Sequence, residues 1–581
     1  MNSMKSNKTK NFRKLLLLLS IIIFIGSNVP TVSAATINVD PGLQNYEIQK
    51  LINGSHQGDT ISFLGSSYSN ISLTINKKLN IISTKNTTII GNNFNIISKV
   101  GTFAFYFTNT SLGSVISGFN IITNSDYGII AANVKNITIN FNKITGSYKD
   151  SIYLKNVSNS NVNHNNLSNS NGNGLNIENS KNISANKNQI KNNKNSGINI
   201  YNSSNIEINS NNVINNNLSG LSVSSSKNIS VDKNTMENNG HGVYLSDTNK
   251  INISNNEINK NTLNGISLED ETENTYISNN NIFKNLNGIY IDSYSVNDTI
   301  ISNNIQESAK SVFTYLDVFD TGNGIGLGQN YQESKNLVNI KYNIITNNQN
   351  FAVKSNPQYT KFIVGPNWYG SNDPEETGVC PMVCTAMMRA KLLQTARSYE
   401  IGFYDGNTLV KTLPSLNVTF QLNGENSKTV QTTSGQATYD YNMDTTKPNL
   451  ITAIAGKTDL SLTLAPQPLA SNKSSNPSKG TPNGDQSINS SSNLESSGNS
   501  TANGTSNTSS GNQKGKTNVG IIGSSISQKG SFGTSNSDGQ NSIEVSVKNT
   551  ANAIKNNPYT VLAIFALLAL VGVGYFKAKF N

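Results

Sequence analysis

The sequence predicts an all-β solenoid in which each turn of the chain carries about three short strands. A motif of 22 or 23 residues repeats eight times between residues 128 and 305. Apolar residues recur at fixed positions of the motif, in segments of only three to five residues. Segments this short fit strands and exclude helices. One repeat therefore makes one turn, and equivalent residues stack along the solenoid axis.

Each repeat opens on a small residue, continues with an aliphatic pair and closes on an apolar residue. The openings are Gly128, Ser151, Gly174, Gly197, Gly220, Gly242, Gly265 and Gly288. An asparagine lies two positions before each closing residue: Asn142, Asn165, Asn188, Asn211, Asn234, Asn256, Asn280 and Asn303. A parallel stack places like side chains above one another, so these amides are predicted to form a structural, hydrogen-bonded ladder. Two further polar columns, beginning at Asn133 and Asn136, are predicted at the bends, where asparagine tolerates a left-handed backbone.

The solenoid is predicted over 36–370, with a cap at its N-terminal end. Ile48, Leu51 and Ile52 have the spacing of one helix face, and a short helix here would cover the open apolar core. The last turns are less regular. The run NWYGSN, which contains the only tryptophan, Trp368, is predicted to close the stack.

A second, smaller domain is predicted after the solenoid. Residues 371–398 form a connector that contains Cys380 and Cys384, with a helix predicted over 383–396. Apolar alternation and Asn-Gly or Ser-Gly turns over 399–464 predict a small immunoglobulin-like β-domain. Residues 466–557 are rich in Ser, Asn and Gly, which is typical of a flexible linker.

Both ends of the chain carry apolar segments that predict export and anchoring. A basic stretch, an apolar run and Val32-Ser33-Ala34 indicate a signal peptide over 1–34; an uncleaved anchor is the alternative. Residues 559–576 can just cross a bilayer, and the lysines of the 577–581 tail favour a cytoplasmic end. A lipid-anchor signal with a discarded tail is the rival interpretation. We therefore predict a cell-surface protein, anchored in the membrane by one C-terminal span.

Composition argues against nucleic acid as a partner. Charged residues make up only 13% of the chain and the net charge is +10. Arginine occurs only at Arg13, Arg389 and Arg397, and the lysines are scattered. Nucleic-acid binders usually cluster basic residues on one face.

The three-strand repeat with its Asn and Gly columns resembles the right-handed parallel β-helix repeat family, which includes pectin lyase-like folds. The closing run, Asn367-Trp368-Tyr369-Gly370-Ser371-Asn372, is similar to one found in adhesin-like surface proteins of methanogenic archaea. The resemblance implies a non-catalytic, adhesin-like rod whose partners are cell-surface glycans or neighbouring cells. A polysaccharide lyase or glycosidase is the alternative, and a structural envelope spacer is the second alternative.

Candidate catalytic and metal-binding residues are few. There is no arginine between residues 14 and 388 to serve a lyase, and acidic residues are sparse. Glu269, Asp270, Glu271 and Glu273 are weak calcium candidates, because calcium needs oxygens that converge and these occupy one turn. Asp317 and Asp320 come next. His164 and His241 are predicted to be exposed polar residues near turns, and no cofactor is predicted.

Two kinds of covalent modification are predicted from the sequence. Cys380 and Cys384, four residues apart, favour a disulfide, with free thiols as the second possibility and metal binding as the third. Sequons at outward positions are candidates for glycosylation: Asn156, Asn202, Asn217, Asn297 and Asn417.

Overall fold

A computed structural model describes ten stretches of the chain. They are residues 33–92, 101–123, 125–292, 294–309, 321–328, 338–354, 362–373, 387–395, 398–441 and 444–466. The predicted signal peptide, the disulfide candidates, Asp317, Asp320, the linker and the membrane span over 559–576 lie outside them, apart from the ends of the signal peptide and the linker. Among the residues described, no helix has both the length and the apolar character needed to cross a bilayer.

The all-β solenoid is confirmed, with about 13 turns. The first two strands of the solenoid, β1 and β2, pair with each other. After them, consecutive strands of the solenoid lie in different sheets, and every third strand pairs in parallel within one of three sheets. Sheet 1 contains β1 (Thr36–Val39), β2 (Thr60–Phe63), β5 (Asn80–Ser83), β8 (Val115–Ser117), β11 (Thr138–Asn140), β14 (Ser158–Asn163), β17 (Lys181–Asn186), β20 (Ser204–Asn209), β23 (Lys227–Asp232), β26 (Asn249–Ser254), β29 (Tyr276–Ser278), β32 (Asp298–Ile301), β35 (Val338–Lys341) and β38 (Phe362–Val364).

The other two sheets have twelve strands each. Sheet 2 contains β4 (Leu73–Ile75), β7 (Phe103–Phe107), β10 (Tyr127–Ala132), β13 (Ile152–Lys155), β16 (Leu175–Glu178), β19 (Ile198–Tyr201), β22 (Ser219–Ser224), β25 (His241–Ser246), β28 (Ile266–Glu269), β31 (Ile289–Ile291), β34 (Ile325–Leu327) and β37 (Val353–Lys354). Sheet 3 contains β3 (Ser67–Ile71), β6 (Thr88–Gly91), β9 (Asn120–Ile122), β12 (Lys143–Thr145), β15 (Asn166–Ser168), β18 (Gln189–Lys191), β21 (Asn212–Ile214), β24 (Thr235–Glu237), β27 (Glu257–Asn259), β30 (Asn281–Phe283), β33 (Asn304–Gln306) and β36 (Ile344–Thr346).

The helix α1 (Asn45–Gly54) covers the N-terminal end of the stack. Ile48 and Ile52 are fully buried in the solenoid core. The Gln49 side chain accepts a hydrogen bond from the Thr74 N–H at 2.8 Å and donates one to the Thr74 carbonyl at 2.9 Å. Thr74 belongs to β4, the edge strand of sheet 2, whose backbone groups would otherwise lack a partner. The helix therefore seals the apolar core and also satisfies the exposed sheet edge.

Two ladders of buried asparagines run along the stack. Each ladder residue donates its amide to the asparagine one turn further on, as Asn142 does to Asn165 at 3.2 Å and Asn211 to Asn234 at 2.9 Å. The first ladder contains all eight residues expected from the sequence and continues to Asn343 and Asn367. The second is Asn193, Asn216, Asn239, Asn261 and Asn285.

The exposed turns carry asparagine rows of their own, and these rows point the other way. Asn133, Asn156, Asn179 and Asn202 have φ values of 56°, 55°, 51° and 46°, in the left-handed region that asparagine tolerates. Asn156 donates back to Asn133 at 2.8 Å, and Asn202 donates back to Asn179 at 2.7 Å. Within the rows, each buried asparagine thus donates to the asparagine on its C-terminal side, and each exposed one donates to the asparagine on its N-terminal side.

Close contacts inside the solenoid explain why seven of the eight opening residues are glycine. A Cβ atom at Gly174 would lie 2.4 Å from Cγ2 of Ile190 and 2.9 Å from Nδ2 of Asn193. At the exceptional opening, Ser151, the equivalent neighbours are Leu167, which lacks a branch at Cβ, and the small Ser170. The hydroxyls of Ser151 and Ser170 lie 2.6 Å apart and form a buried hydrogen bond. Ser151, Leu167 and Ser170 occupy the positions that Gly174, Ile190 and Asn193 hold in the next turn. Together these three differences make room for the side chain of Ser151.

The residues after the solenoid form two antiparallel four-stranded sheets, which we call the β-domain. One sheet contains β39 (Arg389–Gln394), β40 (Tyr399–Asp405), β41 (Thr408–Leu409) and β44 (Gln436–Tyr439). The other contains β42 (Asn417–Leu422), β43 (Glu425–Gln431), β45 (Asn449–Ala455) and β46 (Thr458–Leu464). The sheets share an apolar core that includes Ile401, Phe403, Phe420 and Ile451. An immunoglobulin-like relationship stays a prediction.

The helix predicted over 383–396 is wrong for residues 387–395, the part of it that the structure describes. Residues 389–394 form β39, which pairs antiparallel with β40 over six residues. Met388 and Ala390 are buried while Arg389 is exposed, which is the alternation of a strand. The β-domain thus begins about ten residues earlier than predicted.

Candidate functional site

The outward face of sheet 2, from β10 to β31, brings tyrosine, carboxylate and amide side chains together on adjacent turns. Alternation puts the aliphatic pairs inside and two columns of side chains outside. The first column contains Ile130, Tyr153, Asn176, Asn199, Ser222, Tyr244, Ser267 and Tyr290. The column after it contains Lys155, Glu178, Tyr201, Ser224, Ser246, Glu269 and Asp292.

The centre of this face is an uncharged strip that we call the neutral strip, comprising Asn176, Asn199, Ser222, Tyr201 and Ser224. Its amides are fixed by hydrogen bonds, since Asn199 donates to Asn176 at 3.0 Å and Asn176 donates to Asp150 at 3.0 Å. Tyr201 is 49% exposed. The strip therefore offers oriented donors and acceptors with one accessible ring.

A first acidic and aromatic cluster borders the strip on its N-terminal side. The rings of Tyr127 and Tyr153 are stacked with centroids 5.1 Å apart. The Tyr153 hydroxyl donates to Glu178, and Lys155 lies 3.1 Å from the same carboxylate. Asp150 accepts hydrogen bonds from the Asn173 N–H at 2.7 Å and from Asn176.

The two carboxyl groups of this cluster have pKa values shifted in opposite directions. Burial raises the pKa of Asp150, and the amide donors offset only part of this effect. Burial also opposes ionisation of Glu178, but the hydrogen bond from Tyr153 and the pairing with Lys155 outweigh it and hold the pKa of Glu178 below its ordinary value. Divergent pKa values in neighbouring carboxyl groups are a feature of acid–base pairs.

A second cluster borders the strip four turns further along the stack, roughly 19 Å away at ~4.8 Å per strand. Ser267 donates to Glu269 at 2.8 Å and Tyr244 donates to the same carboxylate at 3.3 Å. Burial raises the pKa of Glu269, and the nearby carboxylates of Asp292 and Asp270 raise it further. Both ends of the neutral strip thus combine tyrosines with carboxyl groups.

The acidic turn predicted as a weak calcium site does not gather its oxygens. Glu269 faces Ser267 and Tyr244, Asp270 accepts from Ser246 at 2.6 Å, and Glu273 accepts from Asn249 at 2.8 Å. Glu271 is exposed. Within the described ranges, no three His, Cys, Asp or Glu side chains are grouped so that they could hold a metal ion.

The two histidines of the solenoid turns differ in exposure, whereas the sequon asparagines all lie at the surface. His164 is exposed and stacks on Phe141 at 4.8 Å. The prediction that His241 is an exposed polar residue is wrong: its Nδ1 is buried without a hydrogen-bond partner, its ring lies 5.4 Å from Tyr244, and burial lowers its pKa to about 4. All five sequon asparagines are exposed: Asn156, Asn202, Asn217, Asn297 and Asn417. Their glycosylation stays a prediction.

Sequence reasoning missed the outward face and also a buried aspartate, Asp298, at the start of β32. One Asp298 oxygen accepts the Thr275 N–H at 2.8 Å, and the other is buried without a partner. Burial raises the pKa of this carboxyl from 3.8 to about 7, and Glu273 adds to the effect. In the unfolded chain the carboxyl titrates near its ordinary value, so the folded state loses stability as the pH rises from about 4 to about 7.

Replacing Asp298 by asparagine should therefore raise the melting temperature by a few degrees at pH 8 and change it little at pH 4. Thermal unfolding followed by circular dichroism at both pH values measures this difference. Asp232→Asn is the opposite control, because hydrogen bonds and Lys233 overcome burial and lower the pKa of Asp232. An equal gain in melting temperature for Asp298→Asn at both pH values would contradict the raised pKa of Asp298.

Comparisons with known proteins agree with the fold. A family model described as a right handed beta helix region matches residues 77–236, and one described as periplasmic copper-binding protein (NosD) matches residues 193–370. No curated protein matches the chain. These matches identify the solenoid as a right-handed parallel β-helix repeat protein.

Solved structures that match part of this chain share little sequence with it. The A-module of a mannuronan C-5 epimerase from Azotobacter vinelandii has 15% identity and a TM-score of 0.47, covering 56% of this chain and 94% of that one. The catalytic domain of an alpha-1,3-glucanase in complex with nigerose has 14% identity and a TM-score of 0.37, covering 58% and 69%. An exopolygalacturonase from Thermotoga maritima has 11% identity and a TM-score of 0.39, covering 47% and 87%.

Proposed function

We propose that this right-handed parallel β-helix repeat protein is a surface-displayed, adhesin-like protein that binds uncharged polysaccharides along the outward face of sheet 2. The observation that carries the proposal is the neutral strip, with its fixed amides and hydroxyls between two tyrosine-containing clusters. Sugar hydroxyls both donate and accept hydrogen bonds, and the strip offers both kinds of partner. Binding sites commonly combine a few oriented polar groups with aromatic surfaces.

The charges around the strip favour uncharged glycans over polyuronates. Glu178 borders it on one side, and Glu269, Asp270 and Asp292 border it on the other. A polyanion that spanned the strip would bring its carboxylates against these groups, and such like-charge contacts are costly. A neutral chain meets no such repulsion.

Display at the cell surface follows from the predicted export signal, flexible linker and C-terminal span. Each turn offers only a few hydrogen bonds to a sugar, so a single contact is weak. Many copies held on one surface can bind a polysaccharide far more tightly than one site does, because later contacts become intramolecular. Adhesion is therefore the role that suits this arrangement.

Asn199→Trp, which places a bulky side chain on the neutral strip, should weaken binding to the outward face of sheet 2 at least tenfold. The measurement is titration calorimetry of the full chain against neutral oligosaccharides, including laminarihexaose, cellohexaose, xylohexaose and maltohexaose, with polygalacturonate as the charged comparison. Asn161→Trp is the matched control, because Asn161 is an exposed, outward-facing asparagine on sheet 1. Equal weakening by both variants, or binding to polygalacturonate alone, would refute the proposal. No binding at all would favour the structural spacer.

A second candidate function is hydrolysis of the same kind of polysaccharide. It is favoured by Asp150 and Glu178, whose pKa values are shifted apart. Protonated Asp150 would give its proton to the glycosidic oxygen as the bond to the anomeric carbon breaks. Ionised Glu178 would take a proton from the water that attacks that carbon.

Hydrolysis predicts that new reducing ends accumulate when the chain is incubated with the oligosaccharides above. Asp150→Asn should then abolish the activity while leaving binding measurable, and Glu178→Gln should slow it at least a hundredfold. The absence of new reducing ends with the unmodified chain, at any pH from 4 to 8, would eliminate this candidate.

Copper binding, named in the second family model, is not carried over to this chain. Imidazole and thiolate or thioether sulfur are the usual copper ligands. Residues 193–370 contain one histidine, His241, and one methionine, Met236, which is fully buried in the core, and they contain no cysteine. The residues present do not fit a copper site.

A further inference from the structure

A cleft of about 940 Å³ lies between the last turns of the solenoid and the β-domain. It opens on the outward side of sheet 3, away from the face described above. Side chains from both parts of the molecule line it, chiefly Asn281, Asn304, Gln306, Thr346, Asn417 and Lys457. No residue from the strands of sheet 2 is among the described residues that line this cleft.

The two walls of the cleft are joined by a fixed junction. Trp368 is buried, and its ring meets Phe403 of the β-domain edge-on at 4.8 Å. The Lys457 N–H donates to the Gly370 carbonyl at 2.7 Å. A Cβ atom at Gly456 would lie 2.5 Å from the same carbonyl oxygen, so the two backbones are in close contact. The cleft is therefore preformed, and a ligand would not have to bring its walls together.

The lining is polar and almost free of charge. The side chain of Asn304 donates to Asn281 at 2.9 Å and accepts from Gln306, so these amides are held in place. Pro414 and Leu416 add an apolar surface on the β-domain side. Among the described lining residues there is no carboxylate, and Lys457 is the one cation. Oriented amides beside a small apolar surface suit a sugar ring and its hydroxyls.

We propose that this cleft is a second saccharide-binding site, which takes an uncharged oligosaccharide segment independently of the outward face of sheet 2. The choice of carbohydrate as ligand rests on the proposed function. The site itself rests on the cleft, its rigid junction and its lining, in which Lys457 is the one charged residue described. One chain would then hold two glycan segments at once, and it could bridge two polysaccharide strands.

The test is titration calorimetry of the full chain with the four neutral hexasaccharides named above. The protein is produced in a host without N-glycosylation, because Asn417 is a sequon. We expect two equivalents of saccharide per chain, and one equivalent for Asn417→Trp, which fills the cleft from its exposed β-domain wall. Asn407→Trp is the matched control, since Asn407 is an exposed asparagine in the β40–β41 turn and does not line the cleft.

The outcomes separate the cleft from the face of sheet 2. Asn199→Trp should leave one equivalent, and the Asn199→Trp/Asn417→Trp double variant should leave none. If the face does not bind, the unmodified chain will show one equivalent that Asn417→Trp abolishes, and the cleft site stands. Unchanged binding by Asn417→Trp, equal loss in Asn407→Trp, or no binding by Asn199→Trp would overturn it.

Discussion

Replacing Gly174 by serine should lower the free energy of unfolding by about 3 kcal/mol. The new Cβ atom would lie 2.4 Å from Cγ2 of Ile190, 2.8 Å from the Gly197 carbonyl oxygen and 2.9 Å from Nδ2 of Asn193. The first two neighbours belong to the packed core and to the sheet backbone, so neither can move far. Chemical denaturation followed by circular dichroism measures the change. Gly54→Ser is the control, because a Cβ atom at Gly54 meets nothing within 4 Å.

The preceding turn shows which further substitutions should restore the stability lost in this variant. Ser151 is accommodated beside Leu167 and Ser170, so the triple variant Gly174→Ser/Ile190→Leu/Asn193→Ser copies a combination that the chain already contains. Asn193 is the first residue of the second ladder, and its loss shortens that ladder without interrupting it. We expect the triple variant to recover at least half of the lost stability. A triple variant that is no more stable than Gly174→Ser would show that the three positions are not coupled.

Replacing Asn211 by alanine should cost about 3–5 kcal/mol, because it removes four hydrogen bonds from the middle of the first ladder. Asn211 accepts from the N–H and the side-chain amide of Asn188, and it donates to the Ala185 carbonyl and to Asn234. The Asn188 N–H and the Ala185 carbonyl would be left buried without these partners. Each such group costs roughly 1–3 kcal/mol.

The neighbouring residue provides the control for this prediction. Asn212 has an exposed, outward-facing side chain in β21, and Asn212→Ala should change stability by less than about 0.5 kcal/mol. Both variants are compared by denaturant unfolding under the same conditions. Similar losses for the two would mean that the ladder contributes no more than the strand propensity of asparagine.

The repeating columns are the part of this structure that sequence alone predicts well. Ile129, Ile152 and Leu175 are register partners in adjacent strands, as their spacing requires. The second asparagine ladder obeys the same logic, since Asn193 and Asn216 each follow an opening glycine by 19 residues. It was missed because the first two repeats carry serine at that position, which hides the column.

The outward face and the β-domain needed the three-dimensional structure. Outward residues such as Tyr153, Asn176 and Asn199 change type from one turn to the next, so periodicity does not single them out. The helix predicted over 383–396 relied on apolar residues with helical spacing. Pairing with β40, a contact that local spacing does not reveal, determines the strand instead.

The opposed directions of the asparagine rows have an electrostatic consequence. A row of side-chain amides that all donate the same way adds its dipoles head to tail, as peptide units do in a helix. The buried rows, such as Asn142 to Asn165, point towards the C-terminal end, and the exposed rows, such as Asn156 to Asn133, point back. Their moments oppose one another and partly cancel along the stack. A turn that extends both kinds of row therefore separates less charge between the two ends of the solenoid than a turn that extends only one kind.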